Sequence, residues 1–92
     1  MPLYRIDRNF PELSLKDIDA GAVRAVACQA RFPGVRWLRS YYDSKASRFT
    51  CYYEANDPDS IRRHAEMAGL PADSITEVVE YLPEQYRTVP PP

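Results

Sequence analysis

The sequence predicts an α+β domain of the ferredoxin-like kind, with the element order β-α-β-β-α-β, a four-stranded antiparallel sheet and two helices on one face. Two observations carry this prediction. Four short stretches alternate apolar with polar residues, and two longer stretches repeat apolar residues at helical spacing on either side of a strand pair. Residues 1–83 are predicted to form this single domain, and residues 84–92 a Pro-rich C-terminal tail.

The first strand and the first helix come before the strand pair. Alternation over residues 3–8 predicts the strand, with Tyr4 and Ile6 on one side. Ser14 offers an N-cap, and the helix is predicted to run from there to about Arg31. Its inward stripe is predicted to consist of Leu15, Ile18, Ala22, Ala25, Val26 and Gln29.

The strand pair and the second helix have clear boundaries. Residues 35–42 and 48–55 are rich in aromatic residues and are joined by a polar loop, which predicts a hairpin. Asp57 followed by Pro58 indicates a helix start, because Asp caps free N–H groups and Pro suits the first helical turn. Gly69 suits the left-handed residue that ends such a helix.

The last strand is predicted over residues 75–82, with extended backbone from Pro83 into the tail. On strand 48–55, simple alternation sets Phe49, Cys51 and Tyr53 against Thr50, Tyr52 and Glu54. On strand 35–42 it sets Trp37 and Tyr41 against Leu38, Ser40 and Tyr42. Because both faces of the sheet then carry large aromatic residues, a homodimer that covers the open sheet face is predicted.

Composition excludes several classes of function. Twelve basic residues against thirteen acidic ones give a net charge of −1, so no nucleic-acid partner is expected. No apolar run approaches the roughly 20 residues of a membrane span, and the first residues lack a signal-peptide layout. A cytoplasmic location is therefore expected, where Cys28 and Cys51 would be free thiols.

Residues that could carry chemistry are few. His64, the only histidine, lies at the edge of the apolar stripe of the second helix, where it could be a ligand, an acid–base group or a packed core histidine. Cys51 could be a thiolate ligand or a small buried residue. Glu54 and Glu77 are carboxylates within strands; on a covered face they would have to pair, take up a proton or bind a cation.

Five sequence elements, in order, resemble a family of small bacterial ferredoxin-like proteins. These elements are Arg8-Asn9-Phe10-Pro11, Val35-Arg36-Trp37-Leu38-Arg39-Ser40-Tyr41, Cys51-Tyr52-Tyr53-Glu54-Ala55, Ile61-Arg62-Arg63-His64-Ala65 and residues 68–78, which begin Ala68-Gly69-Leu70-Pro71. The family is a domain of unknown function, and some of its members are described as nickel-binding. The resemblance covers roughly residues 3–82.

The resemblance implies a dimeric ferredoxin-like fold and directs attention to Trp37, Ser40, Tyr41, Cys51, Glu54 and His64. Of these, His64, Cys51 and Glu54 have the chemistry of ligands to a divalent transition metal, which the resemblance suggests is nickel. The first hypothesis is therefore a homodimeric metal-binding protein with Ni²⁺ as its cofactor.

Two other hypotheses stay open. One is a small-molecule-binding protein or an enzyme of the dimeric α+β barrel kind, such as an isomerase, cyclase or monooxygenase. Its pocket residues would be Trp37, Ser40, Tyr41, Tyr53 and Glu77. The other is a structural or regulatory dimer without a ligand.

Overall fold

The computed structural model describes residues 1–9, 15–88 and 90–92, with the backbone alone at residue 15. Its elements are β1 Leu3–Asn9, α1 Leu15–Gln29, β2 Arg36–Asp43, β3 Arg48–Glu54, α2 Pro58–Ala68, β4 Ser74–Val78 and a 3-10 turn, Pro83–Tyr86. The predicted β-α-β-β-α-β order is confirmed. The predicted N-cap Ser14, and with it Phe10-Pro11, lies outside the described residues.

The four strands form one antiparallel sheet in the order β2-β3-β1-β4. Side chains of directly opposed residues share a face of such a sheet. Ile6 at its centre lies opposite Cys51 on β3 and Ile75 on β4, and all three face the same layer. The buried core on this face also contains Tyr53 and, from α2, Ile61. Both helices cover this face, and the opposite face of the sheet is open.

Strand β2 departs from simple alternation through a bulge between Trp37 and Arg39. Leu38 is the extra residue, so Trp37 and Ser40 share the helix-covered face although they are three positions apart. Tyr41 then lies opposite Thr50 on the open face. The predicted grouping of Trp37 with Tyr41 is therefore wrong, because period-two alternation does not hold across a bulge.

Strand β4 is shorter than predicted and ends at Val78. Its pairing partner β1 begins at Leu3, which lies opposite Val78, so residues further along have no neighbouring strand to pair with. The chain then forms a 3-10 turn from Pro83, not extended backbone. This turn is closed by the N–H of Gln85, which donates to the carbonyl of Leu82 at 3.0 Å.

Helix α2 is capped at both ends by the residues predicted from the sequence. The side chain of Asp57 accepts the N–H of Ser60 at 2.7 Å, and Pro58 occupies the first turn. Gly69 has φ 70°, and its N–H donates to the carbonyl of Glu66 at 3.1 Å. A left-handed backbone of this kind suits glycine, which has no Cβ to clash.

Helix α1 presents small residues to the interior. Ala25 is 4% exposed, whereas Val26 is 59% exposed and Val23 is 68% exposed. The prediction that Val26 belongs to the inward stripe is therefore wrong. Gly21 is also buried, and a Cβ on it would lie 3.2 Å from the side chain of Leu70. The close approach fixes α1 against the chain after α2, while its small residues leave space above the sheet.

No helix in the described ranges is long and apolar enough to cross a membrane. The longest of them, α1, has 15 residues, and a span needs about 20.

Candidate functional site

A cavity of about 410 Å³ lies between α1 and the helix-covered face of the sheet. Aromatic side chains form much of its floor, from Trp37 on β2 and from Phe49 and Tyr53 on β3. Gly21 and Ala25 of α1 form part of its roof. The volume falls within the roughly 300–1,000 Å³ usual for small-molecule sites. The cavity exists because short side chains on the helix face large rings on the sheet without filling the gap.

Arg8 of β1 borders this cavity and is only 2% exposed. Its Nη1 donates to the carbonyl oxygen of Pro71 at 2.6 Å. Its Nη2 is buried and has no hydrogen-bond partner in the described part of the chain. Arginine is rarely buried without a counter-charge, because the protein must replace the water around the guanidinium. A cationic group with a buried, unpaired Nη2 therefore borders the cavity.

Tyr53 lies beside this guanidinium, with its ring centroid 5.9 Å from the Arg8 Cζ. Burial raises the pKa of the Tyr53 phenol, and the positive charge of Arg8 opposes that rise only in part. The phenol consequently stays protonated at neutral pH and leaves the Arg8 charge uncompensated.

Trp37 and Ser40 are held together across the β2 bulge. The Trp37 Nε1–H donates to Ser40 Oγ at 2.8 Å, and both residues line the cavity. Of the five pocket residues predicted from the sequence, the structure brings Trp37, Ser40 and Tyr53 together here. Tyr41 lies on the open face and is 61% exposed. Glu77 lies on the edge strand β4, outside this cavity.

His64 is fully buried between the two helices. Its Nε2 lies 2.8 Å from the carbonyl oxygen of Ala25; because a carbonyl only accepts, this nitrogen carries the proton. The ring packs edge-on against Phe32 at 5.8 Å and near Tyr53 at 5.9 Å, centroid to centroid. Its Nδ1 is buried without a hydrogen-bond partner among the described residues. These contacts make His64 a core residue that joins α2 to α1.

The three residues predicted as metal ligands do not meet within one chain. Cys51 is buried on the helix-covered face, and Glu54, three positions along β3, lies on the open face. His64 lies in the helix layer. Among the described residues, no three His, Cys, Asp or Glu side chains are grouped so that they could hold a metal ion. The described residues of a single chain therefore do not form a nickel site, and metal ligation by these three stays a prediction.

The open face of the sheet is a grid of charged and aromatic side chains. Its charged members, by strand register, are Arg5, Asp7, Arg36, Arg39, Asp43, Arg48 and Glu54. Arg39 lies over the ring of Tyr52 at 5.3 Å, and Tyr41 meets that ring edge-on with centroids 6.3 Å apart. Charges of both signs alternate with rings over this surface.

Arg8 was missed as a site residue, although the sequence contains a signal for it. The alternation that assigns Tyr4 and Ile6 to one side of β1 continues to Arg8 two positions later. A basic residue on the same face of a strand as two core residues indicates a buried cation. The bulge at Leu38, by contrast, has no such signal, because neither Gly nor Pro marks it.

Comparison with known proteins gives one family and one solved fold. The model of a family described as nickel responsive protein SCO4226-like matches residues 4–78. The crystal structure of SCO4226 from Streptomyces coelicolor A3(2) superposes with a TM-score of 0.76 at 18% identity, covering 87% of this chain and 99% of that one. At that identity the likeness shows the fold alone. Among curated protein sequences, none matches this chain.

Proposed function

Because the chain belongs to the SCO4226-like family of nickel-responsive proteins, we propose that it acts as a homodimer that binds a divalent transition metal, nickel. Family membership over residues 4–78 is the observation that carries the proposal. The aromatic and charged open face supports the homodimer, because a mixture of Arg and acidic residues can complement itself across a two-fold axis.

The proposed metal is shared between the two subunits. One chain groups no three suitable ligands among its described residues, whereas a two-fold axis would present every ligand of the open face twice. Glu54 is the member of the predicted set that lies on this face, and it is half-buried. Cys51 and His64 lie on the helix-covered side of the sheet, so ligation by them would place the metal within the core, away from Glu54.

The proposal is tested by nickel titration of untagged, metal-stripped protein, with calorimetry and native mass spectrometry on the same sample. The expected result is saturable uptake at a whole-number ratio per dimer. Glu54→Gln should weaken nickel binding at least about tenfold, because it removes a charged oxygen ligand. Glu66→Gln, on the exposed side of α2, is the matched control and should bind as the wild type does.

Two results would count against this proposal. A dimer that takes up no nickel would remove the metal-binding function itself. Nickel uptake that Glu54→Gln leaves unchanged would move the metal away from the open face, and Cys51→Ser would then be the next variant to titrate.

A further inference from the structure

The charges that line the cavity between α1 and the sheet do not balance. Arg8, Arg24 and Asp17 border it, so the formal charge of the lining is positive. Arg24 already donates from Nε to the carbonyl of Ala68 at 2.9 Å. Arg8 donates to the neutral carbonyl of Pro71, lies beside the Tyr53 phenol and forms no ion pair within the described ranges. A cation with only 2% exposure and unused N–H groups is suited to an anionic ligand.

The rest of the cavity is suited to an apolar, flat group. Its floor consists of the rings of Trp37, Phe49 and Tyr53, and most of its remaining surface is apolar. A water molecule takes up about 30 Å³ in the liquid, so a volume of about 410 Å³ has room for a ligand of about a dozen non-hydrogen atoms. Such a ligand is one aromatic ring with a short acidic arm.

We propose that this cavity binds a small aromatic carboxylate, with the carboxylate paired with the Arg8 guanidinium, whose buried Nη2 turns toward the ligand, and with the ring lying against Trp37, Phe49 and Tyr53. The ligand supplies the counter-charge that Arg8 lacks among the described residues, and the apolar walls limit the water that would compete for the guanidinium. This site lies on the opposite side of the sheet from the proposed metal position and goes beyond the nickel proposal.

Cinnamate is the probe, and cinnamamide is its uncharged partner of the same shape. Isothermal titration calorimetry of the wild-type protein should give one cinnamate per chain and at least about tenfold weaker binding of cinnamamide, the difference expected from one charge-assisted hydrogen bond. The indole N–H resonance of Trp37, the only tryptophan, should move as cinnamate is added. No binding, equal affinity for the two probes, or binding that leaves this resonance unmoved would overturn the proposal.

Arg8→Met tests the residue assignment, because Met keeps the length of the side chain and removes its charge. The variant should bind cinnamate and cinnamamide within about twofold of each other. Arg62→Met, on the exposed side of α2, is the matched control and should keep the tenfold preference. An Arg8→Met protein that keeps this preference would overturn the role of Arg8. If the variant does not fold, the comparison of the two probes on the wild-type protein decides alone.

Discussion

At the scale of single residues, Arg8 and His64 are both buried polar side chains, yet they differ in how they are satisfied. His64 donates to Ala25 and packs between rings, with only Nδ1 unpaired among the described residues. Arg8 carries a formal charge and has one backbone acceptor. Burial of a polar group is tolerated when it is hydrogen-bonded, whereas burial of a charge requires a partner. The two residues therefore have different consequences. His64 contributes packing, whereas the buried positive charge of Arg8 lacks a carboxylate partner among the described residues.

We predict that His64→Ala lowers the free energy of unfolding by about 3 kcal/mol, because it leaves a cavity in the core and removes the hydrogen bond that joins α2 to α1. Urea denaturation followed by circular dichroism measures this change. Arg63→Ala is the control next to it in sequence: its ion pair with Asp59 is exposed, so a change of about 0.5 kcal/mol or less is expected. A His64→Ala protein as stable as the control would show that His64 is not a packing residue.

The functional residues were only partly readable from the sequence. The periodicity of α2 correctly predicted His64 on the inner edge of that helix, but one histidine at such a position is compatible with a ligand as well as with a core residue. The distinction depends on the Ala25 carbonyl, 39 residues away in the chain, which only the packing of α1 on α2 brings to it. The separation of Cys51 from Glu54, in contrast, already follows from their odd spacing on a strand.

At the scale of elements, helix α2 depends on chemistry at its two ends. Hydrogen bonds from the Ser60 N–H, and then from its hydroxyl, lower the pKa of Asp57 below its ordinary value. The folded-state pKa thus lies below the unfolded one. The resulting stability is present above the ordinary aspartate pKa, about 4, and is lost as the pH falls through the folded-state pKa.

We therefore predict that Asp57→Asn reduces the acid sensitivity of the protein. Asn also caps helices but does not titrate, so the variant should lose less stability than the wild type when the pH falls below about 4. Urea midpoints measured at neutral and at acid pH give the comparison. Asp59→Asn, two residues along the chain and exposed, is the control and should follow the wild-type pH profile more closely. Parallel profiles for Asp57→Asn and wild type would contradict the capping role.

Helix α1 and strand β4 show where element predictions fail. The predicted inward stripe of α1 includes Val26, which is exposed, and the helix turns its small residues inward because Gly21 packs closely against Leu70. Strand β4 ends where its partner β1 begins, so its end is set by another segment of the chain. Both features depend on tertiary contacts that no local pattern contains.

At the scale of the whole molecule, the two faces of the sheet serve different purposes. The helix-covered face contains the core and the cavity. The open face presents a mixed grid of charges and rings, with Thr50 of the inner strand β3 near its centre, between Asp7 and Tyr41. The ferredoxin-like order was fully predictable, because breaks and caps mark the ends of most elements. In the proposed homodimer, the second subunit covers this open face.

We predict that Thr50→Lys converts a wild-type dimer to a monomer, because a long charged side chain at the centre of the open face would be buried without a partner in a two-fold contact. Sedimentation velocity over a range of concentrations measures the change. Val23→Lys, on the outward face of α1, is the control and should stay dimeric. A monomeric wild type, or a Thr50→Lys dimer as strong as the wild type, would rule out the open face as the interface.

The bulge at Leu38 has a consequence for how this chain can vary in evolution. Trp37 and Ser40 already share a face with Leu38 between them; without it they would be two positions apart and still share that face. A deletion at this one position therefore leaves every other side chain of β2 on its present side, whereas a deletion elsewhere in the strand would turn part of it over. Homologous chains one residue shorter at this position would keep the same cavity floor and the same open face.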